Sequence, residues 1–406
     1  MEFDLSAYDV IVLGLGAMGA SASYQLALRG ASVLGLDQFH PPHELGSTHG
    51  DTRITRLACG EGPQYTPFAE RSHEIWRALE EKTGLSLLRQ NGILVIAGAG
   101  KIAPSHGVPK FLEATVASAE AWGIDHAILD GREIARRFPA FAVTDGDRAY
   151  YDRLGGYVRP ETCIAAQLEQ AKALGAELRM NEKVVSFRQE AGAVVVTTAA
   201  GTYRAAQLIV AAGPWLPGFL DPALARQFGV TRQVLYWFRA RSPAEHAAFT
   251  PERFPVFIWQ PSGADGVFYG FPAVGPFEEG VKIATEGHDV VDPATVDRTA
   301  SPREIEAMIG TFGRFFPGLS ADCVKAKVCL YTEVNAARFI LDRLPGQDRI
   351  IVASPCSGHG FKHSGGIGDA LAQIAMGEKQ VVLGARRRVI DMTQFAFRPD
   401  DPPWKP

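Results

Sequence analysis

Tyr8-Asp9-Val10-Ile11-Val12-Leu13 is a β-branched apolar run that breaks off at Gly14-Leu15-Gly16-Ala17-Met18-Gly19. An unbroken apolar run of this length suits a strand buried on both faces of a parallel sheet. The spacing predicts a helix over 19–29, with Met18, Ala22, Leu26 and Ala27 at helical spacing and Gly30 as its stop. A second strand follows over 31–37 and ends in Asp37. Strand, G-x-G-x-x-G turn, helix, strand and closing acid make one βαβ unit, and no other stretch narrows the fold as far. Gly14 makes the tight turn, Gly16 lets backbone approach a pyrophosphate, and Gly19 lets helix and strand pack closely. The helix N-terminus offers free N–H groups to phosphate, and Asp37 suits ribose hydroxyls, favouring an unphosphorylated ribose. The motif does not separate FAD from NAD, and a turn without ligand is its bland alternative.

Further along, helices are expected over 65–83, 161–174 and 367–376, and strands over 92–98, 176–180, 193–198, 207–213 and 349–353. Between 236 and 285 the pattern shifts to short strands rich in Phe, Tyr and Trp, as in an antiparallel sheet. Parallel-type βα pieces thus stand at the start, middle and end, with aromatic β-rich stretches between. The fold class expected is α/β, a doubly wound Rossmann-like domain interrupted by an inserted, β-rich antiparallel domain. The nucleotide domain is expected from 1–90, 150–220 and 325–385, the inserted domain from 91–149 and 221–324, and a C-terminal tail from 386–406. Arg386-Arg387-Arg388 reads as a solvated helix end.

Composition excludes several classes. The 406 residues carry 41 Lys+Arg against 45 Asp+Glu, a net charge of −4, which lacks the basic excess of a nucleic-acid binder. Five scattered cysteines, none in a C-x-x-C pair, suit a reducing compartment better than a disulfide scaffold. Met1-Glu2-Phe3-Asp4-Leu5 bears acids where a signal peptide bears Lys or Arg, and no apolar run reaches the ~20 residues of a membrane helix. The expectation is a cytoplasmic protein with no membrane or nucleic-acid partner. His40, His43 and His49 form no helical face, because prolines separate them, so no metal is expected.

Three further segments carry a family resemblance. His40-Pro41-Pro42-His43-Glu44-Leu45-Gly46-Ser47-Thr48-His49-Gly50-Asp51-Thr52-Arg53-Ile54-Thr55-Arg56 resembles a loop of the monomeric sarcosine oxidase and N-methyltryptophan oxidase family. Val328-Cys329-Leu330-Tyr331-Thr332 resembles its flavin-attachment segment, and Ser357-Gly358-His359-Gly360-Phe361-Lys362 its C-terminal flavin motif. With the glycine fingerprint these stand in family order across nearly the whole chain. The resemblance implies an FAD enzyme that oxidises the C–N bond of a secondary (N-methyl or cyclic) amino acid, reduces dioxygen to hydrogen peroxide, and works as a monomer. It implies covalent FAD through Cys329, which by itself would read as a buried structural thiol.

The same resemblance assigns roles. Arg56 and Lys362 match a carboxylate-binding pair, Arg with a two-pronged bond. Arg53 matches an arginine at the flavin face, His49 is expected near the flavin, and Lys282 matches a lysine that activates dioxygen by stabilising superoxide. Tyr269 and Tyr331 match pocket tyrosines, with core aromatics as the plain alternative. Cofactor contacts are expected from Gly14, Gly16, Ala17, Met18, Gly19, Asp37, Ser47, Thr52, Val184, Gly213, Gly358, Gly360, Phe361 and Lys362, the last turn helped by the positive end of the helix near Ile367. Two departures stand out. Glu286, with His288 beyond it, occupies a place where the family has a substrate-facing histidine, which points to a more cationic or hydroxylated substrate. Ala353-Ser354-Pro355-Cys356 replaces a small-Gly-apolar stretch, so Pro355 removes a backbone donor and Cys356 lies close to the flavin. Three other readings stay open: a dehydrogenase using another acceptor, a primary amino-acid oxidase, and a redox-inert flavin module.

Overall fold

The computed structural model describes residues 8–263, 266–287, 289–398 and 400–405. The N-terminal stretch Met1-Glu2-Phe3-Asp4-Leu5 and His288, both used above, lie outside the described residues.

The apolar run Tyr8–Leu13 is a strand with parallel neighbours on both sides, Val33–Leu36 and Thr202–Val210. Glu177–Arg179 and Gln347–Ser354 extend the parallel set at either edge. Antiparallel pairing adds Val184–Glu190, Ala193–Thr198 and Ile340–Leu344 to complete eight strands. Parallel neighbours require a crossover, and the helix Ala17–Leu28 supplies the first of them. It consists largely of small side chains and is buried along most of its length, packed against helices Pro160–Ala173 and Ser364–Ala375. A Cβ at Gly368 would fall 2.2 Å from Ser21 Oγ, so the approach of the two helices depends on that glycine. The helix Thr66–Thr83 covers the same face, and its Arg71 pairs with buried Asp369 at 2.6 Å. The parallel strands of this sheet and the helices packed on it fall within five residues of their sequence expectations, whereas the helices Phe111–Trp122 and Pro302–Phe312 were not expected.

The second sheet has nine strands and carries the aromatic core. Phe141, Phe254, Phe257 and Phe316 meet one another at ring centroid distances of 4.5–5.8 Å, the offset and edge-to-face range. Its longest ladder pairs Phe228–Ala240 with Leu319–Val334, and Val281–Thr285 pairs with the other edge of Phe228–Ala240. This register sets Cys329 opposite Gln233 and Lys282 opposite Trp237 on neighbouring strands.

Two boundaries need correction. Residues 325–334, assigned above to the nucleotide domain, belong to the second sheet, because the strand they lie on runs unbroken along Phe228–Ala240. Residues 150–152 likewise belong there, on the strand Arg148–Asp152 paired with Ile93–Ala97. Nor is the arginine run a helix end. The last helix stops at Ala375, and Arg388–Ile390 is a short strand paired with Val381–Leu383. Arg386 and Arg388 are tied to Glu70. No described helix is long and apolar enough to cross a membrane.

Candidate active site

A cleft of about 590 Å³ opens over the C-terminal ends of the parallel strands, where the sheet's glycine turn lies. Gly14, Gly16, Ala17, Met18 and Asp37 line it, with Ser47, Arg53, Val184, Gly213, Tyr331, Gly358, Gly360 and Phe361. Thirteen separate sequence expectations thus meet around one space. Asp37 is buried and already fixed, accepting from Leu15 N at 2.7 Å and Phe39 N at 2.8 Å. Burial raises its carboxyl, with those two N–H donors pulling the other way. Pro355 and Cys356 line the cleft as well.

Gly14, Gly16 and Gly19 divide their duties as the motif predicts. A Cβ at Gly19 would lie 1.7 Å from Gly14 O, whereas one at Gly16 would meet nothing within 4 Å. Gly19 is therefore a packing residue and does not line the cleft, while Gly16 faces it. Gly19→Ala is expected to lose folding stability, since overpacking costs about 1–3 kcal/mol or more. Gly16→Val is expected to fold with normal circular dichroism yet bind little flavin. A Gly16→Val protein with full flavin content would refute this division.

Of the loop 47–53, Ser47, Thr48 and Arg53 line the cleft, while His49, Thr52 and the Lys282 that meets this loop do not. Gly50 and Asp51 adopt φ of 97° and 68°, and Glu161 accepts the N–H of each. The turn so formed aims the Gly50 and Thr52 carbonyls at Lys282, whose Nζ donates to them at 2.7 and 2.6 Å. Lys282 Nζ also lies 3.8 Å from the Phe271 ring centroid. Burial, and after it Arg53, pushes the Lys282 amine well below its ordinary value. Arg53 donates to Thr52 O and Ser47 O. His49 is 1% exposed, and burial pushes it down to about 3, with Arg53 next in effect. Neither of its ring nitrogens has a hydrogen-bond partner among the described residues. Thr52, expected as a cofactor contact, reaches Arg53 and Lys282 through its carbonyl and does not line the cleft.

Cys329 is fully buried beside Leu235, Trp237 and Ala284 and does not line the cleft, although Tyr331 and Thr332 on the same strand do. Burial raises its thiol, against the pull of Arg53, Lys282 and Arg298. The Tyr269 and Tyr331 hydroxyls are 3.2 Å apart. Burial pushes Tyr269 up to about 12 and Tyr331 well above its ordinary value, so both remain neutral phenols.

The carboxylate pair differs from its expectation. Arg56 is already bonded inside the protein: its Nη2 alone donates to both oxygens of Glu61, at 2.7 and 2.8 Å, and its Nη1 donates to Ala58 O at 2.6 Å. Lys362 Nζ donates to His359 O at 2.7 Å and stands 3.7 Å from Glu61 Oε1. Burial pushes Lys362 down to about 8, with Glu61 acting against the fall. Burial alone would raise Glu61, but Arg56, Lys362, His359 and His106 hold it well below the usual carboxylate range. His359 Nδ1 and His106 Nε2 lie 3.7 and 3.9 Å from Glu61 Oε1.

Glu61, Ser105 and His106 were missed from the sequence, and His359 was read only as part of a turn. Nothing in the Cys59-Gly60-Glu61-Gly62 stretch marks the acid as buried. The Lys362 turn also differs in one respect. Its helix starts at Ser364, and Ser72 Oγ already accepts the Gly366 N–H at 2.9 Å, so that end is partly capped.

Residues 9–374 match the profile of the DAO family, described as FAD dependent oxidoreductase. The chain belongs to that family. It is 37% identical over 372 residues to the monomeric sarcosine oxidase of Streptomyces avermitilis, covering 91% of this chain and 94% of that protein. Identity to the N-methyl-L-tryptophan oxidase of Salmonella enteritidis is 30% over 377 residues, covering 91% and 95%. Among solved structures, NikD, an unusual amino acid oxidase essential for nikkomycin biosynthesis, superposes with a TM-score of 0.80 at 25% identity, covering 96% and 97%. This FAD-dependent oxidoreductase has a cleft that fits its cofactor. Gly16 leaves room for a pyrophosphate, and Asp37 keeps lone pairs for ribose hydroxyls. Ser47 Oγ, Thr332 Oγ1 and Ser354 Oγ, on cleft-lining residues, are buried without partners among the described residues. Buried polar atoms without partners are costly, so a polar ligand is the natural source of their bonds.

Proposed function

We propose that this oxidoreductase is an oxidase of secondary amino acids, N-methyl or cyclic, giving an imine and hydrogen peroxide. When bound, FAD would supply the redox chemistry, a two-electron acceptor for the substrate C–N unit and a donor to dioxygen. The substrate loses two electrons and two protons, dioxygen gains the same, and water then hydrolyses the imine.

Lys362 carries the reading. Lys362 is 3% exposed, donates from Nζ to the His359 carbonyl, and directly follows the cleft-lining Gly360 and Phe361 without lining the cleft itself. A buried amine pushed down to about 8 gains from an incoming carboxylate, which restores its charge. Arg56 supports it through Glu61, as a fixed positive edge. The neutral phenols of Tyr269 and Tyr331 exclude water and present hydroxyls to the reacting nitrogen. Lys282 and Arg53, at the loop 47–53, provide the positive field that favours charge arriving on dioxygen. The similarity to two N-methyl amino-acid oxidases supports the same substrate class. The Lys282 arrangement favours dioxygen over another electron acceptor.

The test is a panel of N-methyl and cyclic amino acids with peroxide detection and anaerobic bleaching of the flavin. Bleaching in the absence of air with no peroxide in air would identify a dehydrogenase, and response to primary amino acids alone would overturn the substrate class.

Attachment of FAD through Cys329 is part of the proposal. It rests on the Cys329-Leu330-Tyr331-Thr332 segment, whose Tyr331 and Thr332 line the cleft. Acid-precipitated wild-type protein is expected to keep its yellow colour, and Cys329→Ala to release it while retaining its fold. Acid-stable flavin in Cys329→Ala would refute the assignment, and Cys356, which lines the cleft, would be the thiol to map next.

A further inference from the structure

The carboxylates of Glu61 and Glu286 both approach the same ring nitrogen of His106 and are treated differently by the protein. His106 Nε2 is 3.9 Å from Glu61 Oε1 and 3.5 Å from Glu286 Oε1. Glu61 is 2% exposed and paired with Arg56 and Lys362. Glu286 follows the strand Val281–Thr285 and is 15% exposed at its side chain. Among the described residues it has no lysine or arginine partner. What holds it is a pair of donors from one loop, Ser105 Oγ to Oε1 at 3.1 Å and His106 N to Oε2 at 3.4 Å. A carboxylate has about four lone-pair sites, so both oxygens keep acceptor capacity after these bonds.

The loop brings this carboxylate to within one side chain of the cleft wall, although Ser105, His106 and Glu286 do not themselves line it. His106 is held at φ 46°, and its ring approaches the glycine turn so closely that a Cβ on Gly358 would lie 2.9 Å from it. The same Cβ would lie 3.2 Å from the Tyr331 ring, and both Gly358 and Tyr331 line the cleft. From Lys362 Nζ to Glu61, from Glu61 to His106, and from His106 to Glu286 are steps of 3.7, 3.9 and 3.5 Å. An oriented anion without a lysine or arginine partner among the described residues therefore stands three contacts from the amine proposed to hold the substrate carboxylate.

Resting on the amino-acid oxidase reading, we propose that Glu286, oriented by Ser105 and His106, selects substrates whose side chain ends in a cation, an ammonium or a guanidinium. The substrate carboxylate goes to Lys362 and the side-chain cation to Glu286, so the ligand completes a charge pair at each end. A hydrophobic side chain of equal length leaves Glu286 without that pair.

Binding is measured first, independently of turnover, by calorimetry on the flavin-loaded protein. The probes are 4-aminobutanoate, 5-aminopentanoate and 6-aminohexanoate, each against the straight-chain acid of the same length. At least one amino compound is expected to bind about 10- to 100-fold tighter than its partner acid, the range of a charge-assisted bond. In Glu286→Gln, which keeps the shape and the Ser105 bond, the ratio is expected to fall to near one. Glu286→Ser reads the same ratio if the first variant does not fold. In turnover, the ratio of kcat/KM for Nα-methyl-lysine to that for N-methylnorleucine is expected to follow the same pattern. Ratios near one in the wild type, no measurable binding of any amino compound, or a ratio unchanged in the variants would each overturn the proposal. Selective binding without oxidation of any amino acid would instead sink the oxidase reading and leave the Glu286 site standing. Oxidation of N-methyl amino acids without cation preference would do the reverse.

Discussion

Lys282→Met is expected to slow reoxidation of the reduced enzyme by dioxygen about 100- to 1,000-fold, the usual cost of removing one preorganised charge-stabilising donor. The geometry gives Lys282 little else to do. Its Nζ is spent on two backbone carbonyls and an aromatic face, with no carboxylate within ion-pair distance among the described residues. Burial has pushed its amine well down, so the proton is held weakly until negative charge enters the cleft. The sign of the pH effect follows. A lysine with a lowered pKa loses its charge at a lower pH than a free one, so wild-type reoxidation falls as pH rises through that value. Lys282→Met has no such group, and its residual rate is expected to be flat over the same range. Stopped-flow reoxidation measured across pH checks both statements. Anaerobic reduction by substrate should change by less than about tenfold, because removal of the amine leaves Lys362 in place. Equal losses in both half-reactions would mean that Lys282 shapes the loop 47–53 and has no special part in oxygen chemistry.

Arg56→Ala is expected to destabilise the fold by about 3–5 kcal/mol, the cost of removing one partner from a buried ion pair. Glu61 would remain 2% exposed with only Lys362 and two imidazoles to face. The Arg56→Ala/Glu61→Ala double variant should therefore be less destabilised than Arg56→Ala alone, a result read from thermal or urea unfolding. The pH dependence has a definite direction. Glu61 has a folded pKa held well below its ordinary 4.5, so its contribution is present above that ordinary value and disappears as pH falls through the folded one. The gap between wild type and Arg56→Ala should shrink in acid. A gap that stays constant down to the acid unfolding limit would show that Glu61 is not the group Arg56 stabilises.

Much of the nucleotide-binding half was legible because its signals are local. The run Tyr8–Leu13, the three glycines and Asp37 report on backbone conformation and burial within one βαβ unit. The loop 40–56 and the turn 357–362 could be placed through family resemblance, and most of their expected contacts do line the cleft. Boundaries were harder. The strand Leu319–Val334 joins the second sheet because its partner Phe228–Ala240 is long enough to carry it, a property of pairing that no feature of residues 325–334 announces.

The charged network of the site was beyond the sequence for a different reason. Glu61, Ser105, His106 and Glu286 come from distant stretches, and each alone reads as an ordinary polar residue. Arg56 was expected to hold a substrate carboxylate, whereas in the structure its Nη2 is bonded to both oxygens of Glu61, five residues on, and both side chains are buried. The sequence by itself determined the parallel strand–turn–helix frame, the cofactor class its glycines and acid suit, and the family. Contiguous residues and backbone freedom decide these matters. The tertiary structure alone decided which charges are spent on each other and which remain for a ligand. That depends on distances of a few ångströms between chain segments far apart in sequence, and on how much water is left between them.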